Sequence, residues 1–522
     1  MARSIPHPNS VRPLGSGAAL ACFLLSLSHP ARAEETDKPI SQIGLDPAGP
    51  QVGALPGGTS PSFGVAPTKA GDWRFDFHGM LTAPLRVGLN TRDDPREGQS
   101  KNVLHTPPAV PDEPDSFSHT GVVPTPYTQL NFSYGNSIVT GTVSIVAKAT
   151  SVSAGFLDPS MQRGINDAFL TLNLPNLGKD MLFRVNVGAF SNRYGAMGEY
   201  DEGRYATPLI ARVNGVGENI QGSFKFGSLT LLVEQGIMAS SNKPGGGMIP
   251  DTFNGFADQR VGSSFVNHVH LGANYKGLAT LGGHYIHAWS QDERASPYQP
   301  DGKISVAAAD LRLTLGRFGH LYAAYSHTQA DDSLSVGRVI EVLNTAGGAG
   351  LDQNYLGTFN PGTLTGSLSH GTGELNTFGA QYDLSVGRLV SYPVPFYADG
   401  PDVVVSLFGI STGVKSDDPR NDGRHLLKFG AEGTYSLLPW LALSGRYDRV
   451  TPDTDDERYA FAVVSPRIIL RTGWDAHDQV VLQYSHWFNG SLTTIREGDP
   501  PRDDVTRVPD EDMISLSGSM WW

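Results

Sequence analysis

Ten basic residues fall on the polar side of segments that alternate between polar and apolar: Arg74, Arg86, Lys148, Arg184, Lys225, Arg312, Lys428, Arg446, Arg467 and Arg471. Seven acids share that side: Asp76, Asp167, Glu234, Asp310, Asp383, Glu432 and Asp448. Along a wetted wall, a surplus of Arg and Lys favours anions, and a low-dielectric backing focuses their field. The plainer chemistry is local pairing that keeps the wall wet, and Arg446 with Asp448 and Lys428 with Glu432 are spaced for it. The positive wall contrasts with the whole chain, whose formal net charge is −13. Much of that excess sits in stretches such as Asp453–Glu457 and Glu497–Asp504. An acidic chain is a poor partner for nucleic acid.

A second concentration lies between Ser191 and Tyr205 and runs on to Arg212 and Glu218. It is dense in Arg, Glu, Asp, Tyr and Gly. Its Arg193, Tyr194, Glu199, Asp201, Glu202, Arg204 and Arg212 could narrow and charge a passage; the alternative is a surface loop tied by its own ion pairs. His268 and His270 share one face of a strand about 6.5–7 Å apart. They could offer two metal ligands, but a third is not visible, so polar wall residues are the better reading, and no metal or cofactor is expected. No G-x-S-x-G, H-E-x-x-H or phosphate-binding glycine loop occurs. Ser485 and His486 are adjacent in a strand and so point to opposite faces, whereas a catalytic Ser–His pair must converge. No enzymatic activity is expected.

The elements that position these residues are strands. In the last ten residues Ile514, Leu516, Gly518, Met520 and Trp522 fall on one side, and Ser515, Ser517, Ser519 and Trp521 on the other. That is a period of two with one apolar face. Order begins abruptly at residue 72: Trp73, Phe75, Phe77, Leu81, Leu85, Val87 and Leu89 share one parity, while Arg74, Asp76, His78, Thr82 and Arg86 share the other. Pro84 interrupts this run and forfeits a ladder hydrogen bond. The pattern predicts strands over 72–90, 127–135, 137–149, 165–175, 181–191, 217–227, 228–238, 264–276, 278–289, 303–316, 319–329, 374–387, 402–414, 424–437, 440–449, 459–472, 477–488 and 512–522. That is eighteen; sixteen would follow if the weaker 127–135 and 402–414 were not strands.

Most predicted strands have the length that a tilted strand needs to cross a bilayer. Connections alternate short and long, with 388–401 too long for its side. Tight turns at one end and long loops at the other are what a transmembrane barrel shows; a soluble β-sandwich has no reason to sort its loops by end. The fold class expected is therefore all-β, a closed antiparallel transmembrane β-barrel with short periplasmic turns and long outer loops. Aromatics near strand ends, Trp73, Tyr134, Tyr275, Trp289, Tyr435, Trp440, Tyr447 and Trp522, would form interfacial girdles.

The N-terminus carries Arg3 and Arg12, then an apolar stretch from about Ala18 to Leu27, then Ala31-Arg32-Ala33. This is the pattern of a secretory signal peptide over 1–33, and its apolar core is about half the length of a membrane anchor. Cys22, the one cysteine, falls inside it. Residues 34–71 are rich in Pro, Gly, Ser and Thr and read as a flexible periplasmic lead. The barrel is assigned to 72–522.

A terminal strand ending in an aromatic resembles the C-terminal signature of bacterial outer-membrane porins. Leu516, Met520 and Trp522 are the residues that carry it, and the resemblance extends over the whole barrel. It implies an outer-membrane location reached through the periplasm, lipid and small hydrophilic solutes as partners, contact with the barrel-assembly machinery, and a homotrimer. It also implies that the third long outer loop, here Ser191–Tyr205, folds into the barrel as a constriction. The function expected is a channel for passive diffusion, leaning toward anions if the wall charges at Arg74, Arg86, Arg184, Arg312, Arg446, Arg467 and Arg471 prevail. Two rivals remain: a non-conducting structural or adhesive barrel, and a barrel enzyme. Sugars, dicarboxylates, phosphate and general filtration all fit as solutes.

Overall fold

The structure is a computed structural model. It describes residues 73–88, 127–136, 138–148, 162–174, 180–195, 209–241, 263–291, 303–331, 343–345, 363–365, 368–370, 372–389, 403–417, 422–451, 453–455, 460–473, 478–489 and 510–521. The signal peptide and the lead assigned to 1–33 and 34–71 lie outside them.

The elements are β1 Arg74–Gly88, β2 Tyr127–Gly135, β3 Val139–Lys148, β4 Gln162–Leu174, β5 Met181–Gly195, β6 Leu209–Phe226, β7 Leu229–Ser241, β8 Ser263–Tyr275, β9 Ala279–Gln291, β10 Lys303–Thr314 and β11 His320–Asp331. Three short strands follow, β12 Leu343–Thr345, β13 Thr363–Thr365 and β14 Leu368–His370. Then come β15 Thr372–Ser385, helix α1 Val386–Leu389, β16 Val403–Ser416, β17 His425–Leu438, β18 Leu441–Thr451, β19 Phe461–Leu470, β20 Asp478–Asn489 and β21 Glu511–Trp521. Setting aside the three-residue strands, eighteen long strands remain among the described residues.

Each long strand pairs antiparallel with the long strand before and after it, β11 passing directly to β15. The ring closes where β1 meets β21, from Met80↔Trp521 to Gly88↔Met513. Closure leaves no long strand with an open edge, the one way a sheet can satisfy its backbone polar groups in hydrocarbon. The weaker predicted strands, 127–135 and 402–414, are both present as β2 and β16. The overlong connection 388–401 contains the end of α1. Pro84 sits in the β1–β21 seam, opposite Ser517.

The tight turns are those of the short side. Lys276 and Gly277 both adopt positive φ, 52° and 70°, and the Gly277 N–H donates to Asn274 Oδ1 at 3.0 Å. Two successive left-handed residues match the twist of a hairpin. No helix among the described residues is long and apolar enough to cross a membrane; the crossing elements are strands.

The two faces of the ring are inverted relative to a soluble protein. Outward positions carry exposed large apolar side chains, among them Leu170, Val187, Leu271, Leu281, Phe378, Leu407 and Leu482. Inward positions carry buried polar ones, among them Asn131, Thr142, Asn186, Asn219, Thr412, Ser465 and Ser485. Across β2 and β3 the inward Ser133 and Thr142 hydroxyls meet at 3.0 Å. Leaving one Leu or Phe in water costs about 1.5–3 kcal/mol relative to burying it. With dozens exposed in a continuous band, only lipid makes this exterior favourable. Aromatics mark the short-turn rim: Trp73 stacks on Tyr134 at 5.2 Å, and Tyr275 and Trp440 are exposed beside the turns.

Candidate functional site

The interior wall has three unlike sectors. On β2–β6 it is mostly hydroxyl and amide, and on β19–β21 such groups stand beside a buried apolar cluster of Phe461, Val463, Trp487 and Met513. The Thr171 hydroxyl donates to Asn186 Oδ1 at 2.8 Å, and Ser465 meets Ser485 at 3.2 Å. These short side chains bond to one another across neighbouring strands and present a neutral, wettable surface.

On β17–β19 the wall is charged. Arg446, fully buried, donates from Nε to Asp448 Oδ2 at 2.8 Å and from Nη2 to Asp448 Oδ1 at 2.8 Å. Its Nη1 lies 3.5 Å from Glu432, and its guanidinium covers the Phe408 ring at 4.5 Å. Arg467 donates to Gln483 Oε1 at 2.6 Å and lies 3.4 Å from Glu432. Glu432 is thus held by Arg446 and Arg467, and also accepts from Ser444 at 2.9 Å. Lys428, spaced for the same carboxylate, is buried on the same face of β17. With Lys428 included, three cations face two carboxylates, so this cluster nearly cancels.

On β7–β10 lies a histidine row. Glu234 and His268 approach to 3.6 Å. His270 stacks on His284 with ring centroids 4.3 Å apart and planes 15° from parallel, and His284 is hydrogen-bonded to Asp310. Two glycines make room for it. A Cβ on Gly236 would sit 2.2 Å from His268 Nε2, and one on Gly282 would sit 2.6 Å from Asp310 Oδ2. No group of three or more His, Cys, Asp or Glu with metal-holding geometry occurs among the described residues.

Above the wall stands a tongue that sequence periodicity did not delimit. β5 and β6 stay paired out to Gly195↔Leu209. Their wall neighbours stop earlier, β4 at Ala168↔Ala189 and β7 at Val216↔Ala239. Beyond those points β6 is met instead by β12, with Val213↔Leu343, Arg212↔Asn344 and Ala211↔Thr345. β12 belongs to the outer connection between β11 and β15, rooted five strands around the ring, and β6 itself approaches β11. At the tongue's root, buried Phe190 packs on Phe169 at 5.7 Å. Both join a cluster with Met238, Val266, Ile286, Val306 and Ala330, all inward positions of β7–β11. The β5–β6 extension is thus joined to the connection that follows β11, and the apolar residues packed at its root occupy inward positions of the wall.

The residues singled out in the sequence take these places. Arg193, Tyr194 and Arg212 lie in the tongue, and Arg193 stands directly opposite Arg212 in the antiparallel register. Glu199, Asp201, Glu202 and Arg204 lie outside the described residues. Arg184 is on the inner wall of β5 and donates to Asn173 Oδ1 at 3.1 Å. Arg312 on β10 lies over the Tyr322 ring at 5.8 Å. Arg74 and Arg86 are in β1. Arg471 follows the last residue of β19; it donates to the Pro439 carbonyl at 3.2 Å and to Ser436 at 3.1 Å, so it ties a turn. Ser485 faces inward. His486 faces outward, bonded to Asp512 at 2.6 Å. Leu516 and Met520 face outward on β21 and pair with Leu85 and Leu81 of β1; Trp522 lies outside the described residues.

Ring closure, an apolar exterior and a polar interior together define a membrane-spanning β-barrel. No protein-family model matches the chain, and no curated protein matches it. Among solved structures, it is similar to the outer membrane channel DcaP of Acinetobacter baumannii, with a TM-score of 0.39, 10% identity, and coverage of 88% of this chain and 100% of that one. It is similar to OccK3 (OpdO) of Pseudomonas aeruginosa, with a TM-score of 0.38, 11% identity, and coverage of 86% and 96%. It is also similar to OmpT, an outer membrane protein of Vibrio cholerae, with a TM-score of 0.36, 10% identity, and coverage of 86% and 99%. The class rests on the barrel's own geometry.

Proposed function

We propose that this chain is an outer-membrane porin, a channel through which small hydrophilic solutes diffuse passively. The observation that carries this reading is the inversion of the two faces: hydrocarbon-compatible side chains outside and hydrogen-bonding side chains inside, on a ring wide enough to enclose an aqueous path. The tongue gives the path its narrowest point, with Arg193, Tyr194 and Arg212 at the constriction. Small polar solutes cross by exchanging water for the Ser, Thr, Asn and Gln groups of the wall, and no covalent step is needed.

We further propose that the channel leans toward anions. The support is the Arg193–Arg212 register pair. Like charges directly opposite in a ladder are unfavourable, so a strand pair that keeps two arginines there gains something other than stability. The β17–β19 cluster adds little, because its charges nearly cancel. An outer-membrane location and a homotrimer belong to the same proposal.

Purified protein in a planar bilayer tests it. Discrete ohmic steps are expected, with a reversal potential in a salt gradient displaced toward the anion value. A structural or adhesive barrel would give no steps, and cation preference would overturn the role given to the arginines.

A further inference from the structure

Three strands that run from the short turns toward the long loops carry the same outward pattern. They read Tyr285-Ile286-His287 on β9, Tyr325-Ser326-His327 on β11 and Tyr484-Ser485-His486 on β20. In each the middle residue is buried and faces inward. The phenol and the imidazole therefore share the lipid-facing side about 6.5–7 Å apart, with the imidazole nearer the long-loop end. In two of the three a further ring follows two residues on. Trp289 stacks on His287 with centroids 5.4 Å apart, and Phe488 meets His486 edge-on at 4.4 Å.

Each imidazole is held by the neighbouring strand through Nδ1. His327 Nδ1 lies 2.9 Å from Asn376 Oδ1 of β15, and the Tyr325 hydroxyl donates to the same oxygen at 3.0 Å. His486 Nδ1 lies 2.6 Å from Asp512 Oδ1 of β21, to which the Tyr484 hydroxyl also donates. His287 Nδ1 meets Ser305 Oγ of β10 at 2.8 Å. An amide or carboxylate oxygen only accepts, so His327 and His486 donate Nδ1–H there. Their neutral rings then keep a lone pair on Nε2, on the far side of the ring from the strand partner. A phenol and an imidazole, joined on β9 and β20 by a second aromatic ring, thus stand together at the long-loop edge of the apolar band.

The two rims differ in what they offer. Beside the short turns, cations lie on aromatic rings: Lys276 over Tyr275 at 5.5 Å and Arg317 over Phe318 at 4.9 Å. At the long-loop ends, outward lysines are matched with acids, Lys303 with Asp331 at 2.9 Å and Lys415 with Glu374 at 3.2 Å. Arg449, two residues after the exposed Tyr447 on β18, puts a guanidinium where the other three strands have an imidazole. Among these groups positive charge is largely offset, and hydrogen-bonding atoms and ring faces prevail.

We propose that the long-loop rim is a docking surface for the sugar headgroups of a glycolipid, with the three Tyr-x-His pairs as its contact points. The acyl chains of that lipid continue along the apolar band, so rim and band are one interface. The Nε2 lone pairs of His327 and His486 accept hydrogen bonds from sugar hydroxyls. The rings of Trp289 and Phe488 pack on the apolar faces of the sugars. Amphipathic rings suit that level, with the body against hydrocarbon and the polar atoms among headgroups. A phosphate headgroup would be drawn by positive charge, which the short-turn rim offers more openly.

The test uses the full barrel folded in phosphatidylcholine vesicles that contain a minor share of a diglucosyl diacylglycerol with a photoactivatable group on its sugar. Both leaflets then offer the same lipid to both rims. Illumination should label 285–289, 325–329 and 484–488, and label the short turns at 275–279 and 438–441 about fivefold less, the ratio that roughly one net hydrogen bond supports. Unlabelled glycolipid should compete the label away, and phosphatidylglycerol should not. Replacing all three imidazoles, as His287→Phe with His327→Phe and His486→Phe, keeps rings at the rim but removes Nε2, and should cut labelling roughly tenfold. Lys276→Gln with Arg317→Gln, at the other rim, should leave it unchanged. If the triple variant does not fold, His327→Phe alone should lose the label on 325–329 only.

Equal labelling of the two rims overturns the proposal. So does competition by phosphatidylglycerol as strong as that by the unlabelled glycolipid, which would make the rim a phosphate surface. Labelling of 325–329 that survives His327→Phe would take the imidazoles out of the contact. The measurement concerns the outside of the barrel and is indifferent to current through it. A barrel that is labelled as expected but gives no conductance would sink the channel and leave the glycolipid rim standing.

Discussion

Arg446 grips Asp448 two residues along its own strand, with Nε 2.8 Å from Oδ2, and reaches Glu432 on the neighbouring strand at 3.5 Å. All three side chains are buried. The register makes the second contact: Arg446 is the direct partner of Glu432 in the β17–β18 ladder. One guanidinium thus ties two carboxylates across two strands and lies on the Phe408 ring of a third.

Breaking that grip should destabilise the barrel. Asp448→Asn keeps the shape but removes the charge of the carboxylate that Arg446 grips from two nitrogens, while Glu432 stays shared with Arg467. Removing one partner of a buried pair costs about 3–5 kcal/mol. Urea unfolding of the barrel in lipid, followed by gel mobility of the folded form, should show a loss of that order. A loss under about 1 kcal/mol would mean that water screens the pair, as at an exposed site.

Gly188 should be irreplaceable at the root of the tongue. Its φ is +135°, a conformation that side chains rarely adopt. A Cβ there would lie 2.4 Å from the Ala168 carbonyl oxygen and 2.7 Å from Phe169 Cα, both backbone atoms that cannot yield. The same stretch of β4 carries Phe169, which supports Phe190. Gly188→Ala is expected to cost about 1–3 kcal/mol through strain and to raise current noise by loosening the tongue. Quiet wild-type steps from this variant would separate the tongue from its root.

Outward and inward positions should respond differently to charge, and outward ones by depth. Leu407 is exposed to lipid in the middle of β16, and Leu437 at the turn end of β17. Arg at the bilayer midplane costs about 2–4 kcal/mol, and near the interface about 0–1. Leu407→Arg should therefore impair membrane insertion, measured as the folded fraction in lipid vesicles, while Leu437→Arg folds normally. Equal behaviour of the two would contradict a lipid-facing exterior.

The strands were legible in the sequence because a barrel wall between lipid and water must alternate at every residue. Leu170, Leu172 and Leu174 against Thr171 and Asn173 is such a passage, and it predicts β4 to within a few residues. The tongue was not legible for the same reason. Along 209–216 the alternation of polar and apolar residues lapses, and β6 starts eight residues earlier than the alternation predicts. β12 was hidden in a long connection, because three residues that pair with a distant edge leave no periodic trace. The charged cluster was half legible. Arg446 with Asp448 is an i, i+2 contact on one face of a strand. The capture of Glu432 by Arg446 and Arg467 depends on register across three strands, which a single sequence does not fix. The sequence places His268, His270 and His284 on inward faces; the stack of His270 on His284 needs the β8–β9 register, His270↔His284.

Selectivity should follow the tongue rather than the wall. In the wall, Arg446 and Arg467 share Glu432 and Asp448, and their field is largely cancelled at a distance. In the proposed constriction, Arg193 and Arg212 are direct register partners, and an ion crossing it would pass closest to them. A unit charge about 4 Å from a passing ion interacts with about 4 kcal/mol at an effective dielectric of 20, against about 1 kcal/mol in bulk water. Neutralising both, as Arg193→Gln with Arg212→Gln, is therefore expected to move the reversal potential in a tenfold salt gradient clearly toward the cation value. Arg467→Gln should move it far less. The double variant should also fold at least as stably as the parent, since a repulsive pair has been removed. A reversal potential that shifts with Arg467 and not with the tongue pair would place the selectivity element in the β17–β19 wall instead.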